Sequence, residues 1–210
     1  MILARILVAL GLMVAAGAAF AASVKPANLS ERDRTDIQRI EAYLNGLGTL
    51  RTRFVQVSSD GGVESGLLTL ARPGRMRFEY DPPSPTLLIA DGTFLIFIDK
   101  QLDQTTHVHL RNTPVGILVS ENVKMSGGVT VTDLSRGPGV VRVTLVRTDE
   151  PGEGTLTLAF ADNPLQLRQW AVVDAQGVRT TVTLADLETG VPVNRDMFRY
   201  EKRESDRDRN

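Results

Sequence analysis

Between Thr49 and about Leu187 the apolar residues of this chain recur at every second position, and that period decides what the chain can fold into. Met76, Phe78 and Tyr80 alternate with Arg77 and Glu79, and Leu156, Leu158 and Phe160 alternate with Thr155, Thr157 and Ala159. Val178, Thr180, Val182 and Leu184 alternate with Arg179, Thr181 and Thr183, while Val141, Val143 and Leu145 make a similar row. Successive side chains of a strand point to opposite faces, so each row is a strand with one buried face. Turn signals separate the rows at Asp60-Gly61-Gly62, Pro73-Gly74, Pro82-Pro83, Asp91-Gly92, Gly127-Gly128, Gly137-Pro138-Gly139, Asp162-Asn163-Pro164 and Ala175-Gln176-Gly177. Many short antiparallel strands of this kind, about ten or eleven, predict a large curved sheet, sandwich or barrel.

Two segments depart from the period of two. Ser30 is placed to cap a helix, with Asp33 three residues on as a capping-box partner and Ile37, Ile40, Leu44 and Leu47 forming one apolar stripe. Gly46 and Gly48 end it, and its stripe requires a partner surface, which the sheet supplies. In the middle of the chain, Thr113-Pro114-Val115-Gly116-Ile117-Leu118-Val119 follows a capping-type Asn112 and predicts a short apolar helix inserted between strands. So apolar an element is expected to pack over the mouth or inner face of the sheet.

The two ends read differently from the body. Met1 to Arg5 carries one positive charge, Ile6 to Ala18 is an apolar run, and Ala19-Phe20-Ala21 offers the small-x-small pattern of a signal-peptidase site. Residues 1–21 are therefore expected to be a cleaved signal peptide, with 22–200 the folded domain and 201–210 a charged tail without fixed structure. There is no cysteine, so an exported chain must stand on its core, and none is available at Ala22 to carry a lipid anchor. Without Arg5 there are 23 basic against 25 acidic side chains, a net charge of −2, which argues against a nucleic-acid partner.

Catalytic signatures are missing. No glycine cluster sits in a phosphate-binding context and no G-x-S-x-G elbow occurs. His107 and His109 share one strand face, but a metal site needs at least a third ligand, so no metal and no catalytic residue is assigned.

The run Gly66-Leu67-Leu68-Thr69-Leu70-Ala71-Arg72-Pro73-Gly74-Arg75-Met76-Arg77-Phe78-Glu79-Tyr80 resembles the LolA family of periplasmic outer-membrane lipoprotein carriers, in which a strand ending in Arg-Pro turns into a second strand with alternating aromatics. Phe54-Val55-Gln56, Ile89-Ala90-Asp91-Gly92 with the Phe94 to Ile98 run, and Thr113-Pro114 at the head of an apolar helix resemble further family features in the same order. The likeness spans roughly Ser30 to Tyr200. It implies an incomplete, open antiparallel β-barrel of about eleven strands covered by an N-terminal helix and a short lid helix. It also implies a non-enzymatic, soluble periplasmic carrier, a monomer without cofactor. Its partners would be acylated lipoproteins, an inner-membrane release transporter, and an outer-membrane acceptor or the membrane itself.

On that reading Leu68, Leu70, Met76, Phe78 and Tyr80 line the acyl cavity, with Val115, Leu118 and Val119 contributed by the lid. Arg72, at the end of the Leu68–Leu70 row, matches the family's latch position; a guanidinium in an apolar cavity must find acceptors, such as carbonyls at the lid's helix ends. With aromatics at 5% of residues the cavity is expected to be lined more by aliphatics, and Gly116 stands where a larger lid residue would be expected. A lipid- or lipoprotein-sensing protein of the same fold is the alternative, and a periplasmic acyl hydrolase a more remote one.

Overall fold

A computed structural model of the chain describes residues 24–200. The expected signal peptide and the charged tail lie outside the described residues.

Eleven strands form one antiparallel sheet. In chain order they are β1 (Thr49–Ser58), β2 (Val63–Ala71), β3 (Arg75–Tyr80), β4 (Thr86–Asp91), β5 (Phe94–Asp99) and β6 (Gln104–His109), then β7 (Val129–Gly137), β8 (Val140–Arg147), β9 (Gly154–Asp162), β10 (Leu165–Asp174) and β11 (Arg179–Thr189). They make two meanders joined where β1 pairs with β11, giving the order β6-β5-β4-β3-β2-β1-β11-β10-β9-β8-β7. The barrel therefore stays open, with β6 and β7 as its free edges. Residues 110–128 span the opening in sequence.

The rows of alternating residues supply the inner face. Phe54, Leu68, Phe78, Leu145, Leu158, Phe160 and Val182 are all buried in one cluster with Ile40 and Leu44 of α1 (Glu31–Gly46). Phe78 on β3 and Trp170 on β10 meet edge-on with centroids 6.2 Å apart. Four strand spacings separate them, about 19 Å on a flat sheet, so the sheet must curl to bring them into contact. Gly66 permits the tight packing beneath this cluster. A Cβ there would lie 2.8 Å from the Phe54 ring and 2.2 Å from the Glu79 carbonyl.

α1 begins with the capping box expected from Ser30 and Asp33: the Ser30 amide donates to Asp33 Oδ2 at 2.7 Å and the Asp33 amide to Ser30 Oγ at 3.2 Å. Its N-terminal half is pinned to the C-terminal meander. Arg136 on β7 donates to Asp33 Oδ1 at 2.6 Å and to Asp36 Oδ2 at 2.5 and 2.8 Å, and Arg39 joins Asp36 to Asp162. Hydrogen bonds from Ser30 and Arg136 hold the Asp33 carboxyl down at about 2. Burial works against ionisation of Asp36, but its bonds to Arg136 and Arg39 outweigh it and lower the pKa.

β4 is buried on both faces, and β5 on both except at Phe97. Leu87, Ile89, Ile96 and Ile98 form a second, outer cluster with Ala71 and Phe198, under the short helical turn Arg195–Phe198. Arg77 Nη1 donates to the Met197 carbonyl at 2.9 Å and Tyr200 meets Thr105 at 3.1 Å, which fastens this segment to the outside of the sheet.

The lid helix corrects the expectation from Asn112. That residue ends a separate turn, Leu110–Asn112, and α2 (Gly116–Val119) is only four residues long. Its N-cap position is Val115, which offers no side-chain cap; the Thr113 hydroxyl instead bridges the two turns, donating to the Leu110 carbonyl at 2.7 Å and accepting the Gly116 amide at 3.2 Å. Gly116 is explained by the same turn: a Cβ would stand 2.2 Å from the Leu110 carbonyl oxygen. Nothing larger fits.

Candidate functional site

All eight residues singled out as cavity lining converge on the inner cluster. Leu68, Leu70, Met76, Phe78, Leu118 and Val119 are buried there, and Tyr80 and Val115 are half-buried against them. The pairs Leu68↔Phe78 and Leu70↔Met76 are direct cross-strand neighbours, so parity alone places them side by side. Tyr80 keeps its polar end satisfied by donating to Gln56 Oε1 at 2.9 Å; burial, reinforced by the Glu64 carboxylate, pushes its hydroxyl up to about 12.

Aromatic side chains concentrate here despite their scarcity overall. Phe54 packs edge-on against Phe78 and Tyr80 at 5.0 and 5.2 Å, and Tyr43 of α1 packs against Phe160 at 5.8 Å. Aliphatic side chains still make up most of the inner cluster, with these aromatics set among them, while Phe94, Phe198 and Tyr200 belong to the outer cluster. Phe54 and Trp170 are inner-cluster residues that the alternating rows did not single out.

The apolar wall also runs further than expected. Phe78 pairs with Leu88, and Leu88 with Phe97, while Ala90 pairs with Leu95, and Leu95 with Val108. Phe97 and Val108 share the parity of inner-facing Leu95, yet are 44% and 38% exposed. An open apolar rim thus adjoins the free edge at β6. The Leu87–Ala90 and Phe94–Ile98 runs, with no polar interruption, carried the signal of two-sided burial.

Arg72 follows β2 directly and holds three parts together. It donates to the Leu44 carbonyl and, at 3.2 Å, to Asn45 Oδ1 at the end of α1, and to the Ser120 carbonyl at the end of α2 at 2.5 Å. Its acceptors are all uncharged, its Nε is buried without a partner, and burial lowers its pKa. Asn45 completes the joint by exchanging two hydrogen bonds with the backbone of Val123, at 2.8 and 3.0 Å, while the Gly74 amide donates to the Val119 carbonyl at 2.8 Å. The arrangement closes α1 and the lid over the inner face.

His107 and His109 lie on the outer face of β6, flanking Phe94 with centroids 6.0 and 4.6 Å away. Among the described residues no group of three or more potential metal ligands is assembled.

A family model described as outer membrane lipoprotein carrier protein LolA matches residues 45–201. An outer-membrane lipoprotein carrier protein of Azotobacter vinelandii is 30% identical over 188 residues, covering 85% of this chain and 86% of that one. One from Pseudomonas aeruginosa is 29% identical over 178 residues, covering 80% and 85%. A solved LolA superfamily protein from Nitrosomonas europaea covers 78% of this chain and 97% of its own, with 7% identity and a TM-score of 0.47. The family model takes in most of the chain, from the end of α1 through every strand, and the chain therefore belongs to the LolA family.

Proposed function

We propose that this chain is a periplasmic carrier that takes up the acyl chains of lipoproteins released from the inner membrane and hands them to the outer membrane without covalent chemistry. The observation that carries this reading is Arg72, fastened to α1 and the lid above an apolar inner face. Exposed acyl chains cannot cross water unaided, since each buried methylene is worth about 0.8 kcal/mol. A carrier must therefore cover them and still let go. A guanidinium held only by neutral acceptors fits both demands. It closes the empty cavity, gives way to cargo, and leaves the loaded form poised to return.

In this reading residues 1–21 are removed on export and 22–200 form the carrier domain. Leu68, Leu70, Met76, Phe78, Tyr80, Val115, Leu118 and Val119 contact the acyl chains once the latch opens, with Phe97 and Val108 at the rim. An inner-membrane transporter loads the monomer, and an outer-membrane acceptor or the membrane itself unloads it.

The test is transfer. The chain from Ala22 is incubated with inner-membrane vesicles holding a labelled lipoprotein, the release transporter and ATP. Label is expected in a soluble one-to-one complex. Retention of label in the vesicles while free lipid binds would overturn carriage and shift the reading to a lipid sensor.

A further inference from the structure

A second arginine grips the lid from the opposite side of the barrel opening. Arg147, the last residue of β8, donates through Nη1 to the Arg111 carbonyl, in the turn that leads into α2. Its Nη2 is held by Asp149 at 3.0 Å and Glu150 at 3.1 Å, its side chain is 17% exposed, and its Nε is buried without a partner, as in Arg72. This bond links the chain just after β6 to the strand beside β7, and so crosses the gap that the sheet leaves open.

We propose that Arg147 is a positioning residue that makes the start of the lid a fixed hinge, so that the lid opens at its Ser120 end; the inference rests on the carrier reading. The two arginines differ in what holds them. Arg72 has only neutral acceptors on parts that must separate, whereas Arg147 is anchored by two carboxylates next to it in sequence and stays where it is. The backbone that Arg147 grips is itself rigid. The Leu110 amide donates to the Thr93 carbonyl at 2.9 Å, Thr113 ties Leu110 to Gly116, and Gly116 packs against the Leu110 carbonyl. The far end is fastened differently. Val119 and Ser120 are held by Gly74 and Arg72 of the β2–β3 turn and Val123 by Asn45 of α1, so this end is fastened to parts that lie outside the lid and comes free when those bonds break.

There is room for such a swing. A cavity of about 600 Å³ lies between the lid and the turns at Gly74 and Gly92, and another of about 360 Å³ separates Ile117 and Ser120 from Val129 at the start of β7.

Hydrogen exchange on the whole mature chain locates the moving end. Amides of Leu118–Val123 are expected to exchange faster than those of Leu110–Gly116. Arg147→Ala should raise exchange at Leu110–Gly116 by about tenfold, the factor one charge-assisted hydrogen bond contributes, with recovery in Arg147→Lys. Arg72→Ala should instead act on Leu118–Val123 and the end of α1. Equal acceleration at both ends in Arg147→Ala would overturn the hinge.

The chain has no cysteine, so cysteine pairs can be bridged selectively with a short bismaleimide. Bridging Arg111→Cys to Arg147→Cys should leave uptake of a fluorescent triacylated lipopeptide intact, while bridging Asn45→Cys to Ser120→Cys should abolish it. Loss of uptake in the first bridge refutes the hinge. Absence of uptake by the unbridged chain refutes carriage instead, and the exchange pattern still decides which end of the lid moves.

Discussion

Replacing Arg72 by Leu removes the joint between sheet, α1 and lid while keeping an apolar side chain in an apolar site. Of its hydrogen bonds, those to the Ser120 carbonyl at 2.5 Å and the Glu121 carbonyl at 3.4 Å reach the lid and must break when it opens, the shorter one dominating. A hydrogen bond involving a charged group contributes about 1.5–3 kcal/mol net, which shifts the closed-to-open ratio by about 10- to 150-fold. Cargo binds the open form, so its apparent affinity is reduced by the fraction of time the carrier spends closed. Arg72→Leu should therefore load readily and bind a fluorescent acyl lipopeptide more tightly, by up to that same factor. Release into acceptor vesicles should slow in proportion, because no latch re-forms behind the departing chains. Titration gives the affinity and vesicle transfer gives the rate. An affinity that is unchanged or weaker, together with normal transfer, would falsify the latch.

Other perturbations probe separate parts. Gly116→Ala places a methyl group against the Leu110 carbonyl and should cost about 1–3 kcal/mol, read by urea denaturation; an unchanged midpoint means the turn is looser than its geometry. Phe97→Ser should weaken acyl binding by about fivefold, from loss of roughly half of one aromatic burial, with little change in stability since the ring is already 44% exposed. If binding is untouched, the rim is not part of the path. Asp33, lowered from 3.8 to about 2, and Asp36, also lowered from 3.8, contribute stability that is full above about pH 4 and is lost as pH falls through their folded values, for Asp33 towards about 2. Acid titration followed by near-UV dichroism should show that component in the native chain and a smaller one in Arg136→Ala, since the Ser30 bonds to Asp33 remain.

Much of the scaffold was readable because a strand exposes its burial in its spelling. Leu156, Leu158 and Phe160 could be assigned a face before any neighbour was known, and the turn residues between rows set where each strand stops. The capping box at Ser30 is equally local, three residues wide. What escaped was set by contacts distant in sequence. The lid starts at Gly116 rather than after Asn112 because residues 110–113 close a turn of their own, with the Thr113 amide and hydroxyl both donating to the Leu110 carbonyl. Trp170 met Phe78 only when curling brought β10 to β3, and Arg147 meets Arg111 across 36 residues with no periodicity to announce it. The outer cluster over β4 and β5 depended on where Phe198 returned. Arg72 stood out as a candidate from its motif, but its acceptors on Leu44 and Ser120 belong to the tertiary structure.

The unpaired edges at β6 and β7 have a mechanical meaning. In a closed barrel, strand number and stagger fix the radius, and a wider lumen requires breaking a complete ladder of backbone bonds. This sheet has no such hoop. Its ten ladders can all persist while the edges draw apart or together, so the interior can swell to the girth of its contents and shrink again at almost no cost in backbone bonding. Like a spring clip, the fold grips by curvature, and on the proposed carrier reading one sheet would embrace one, two or three fatty chains without being rebuilt for each.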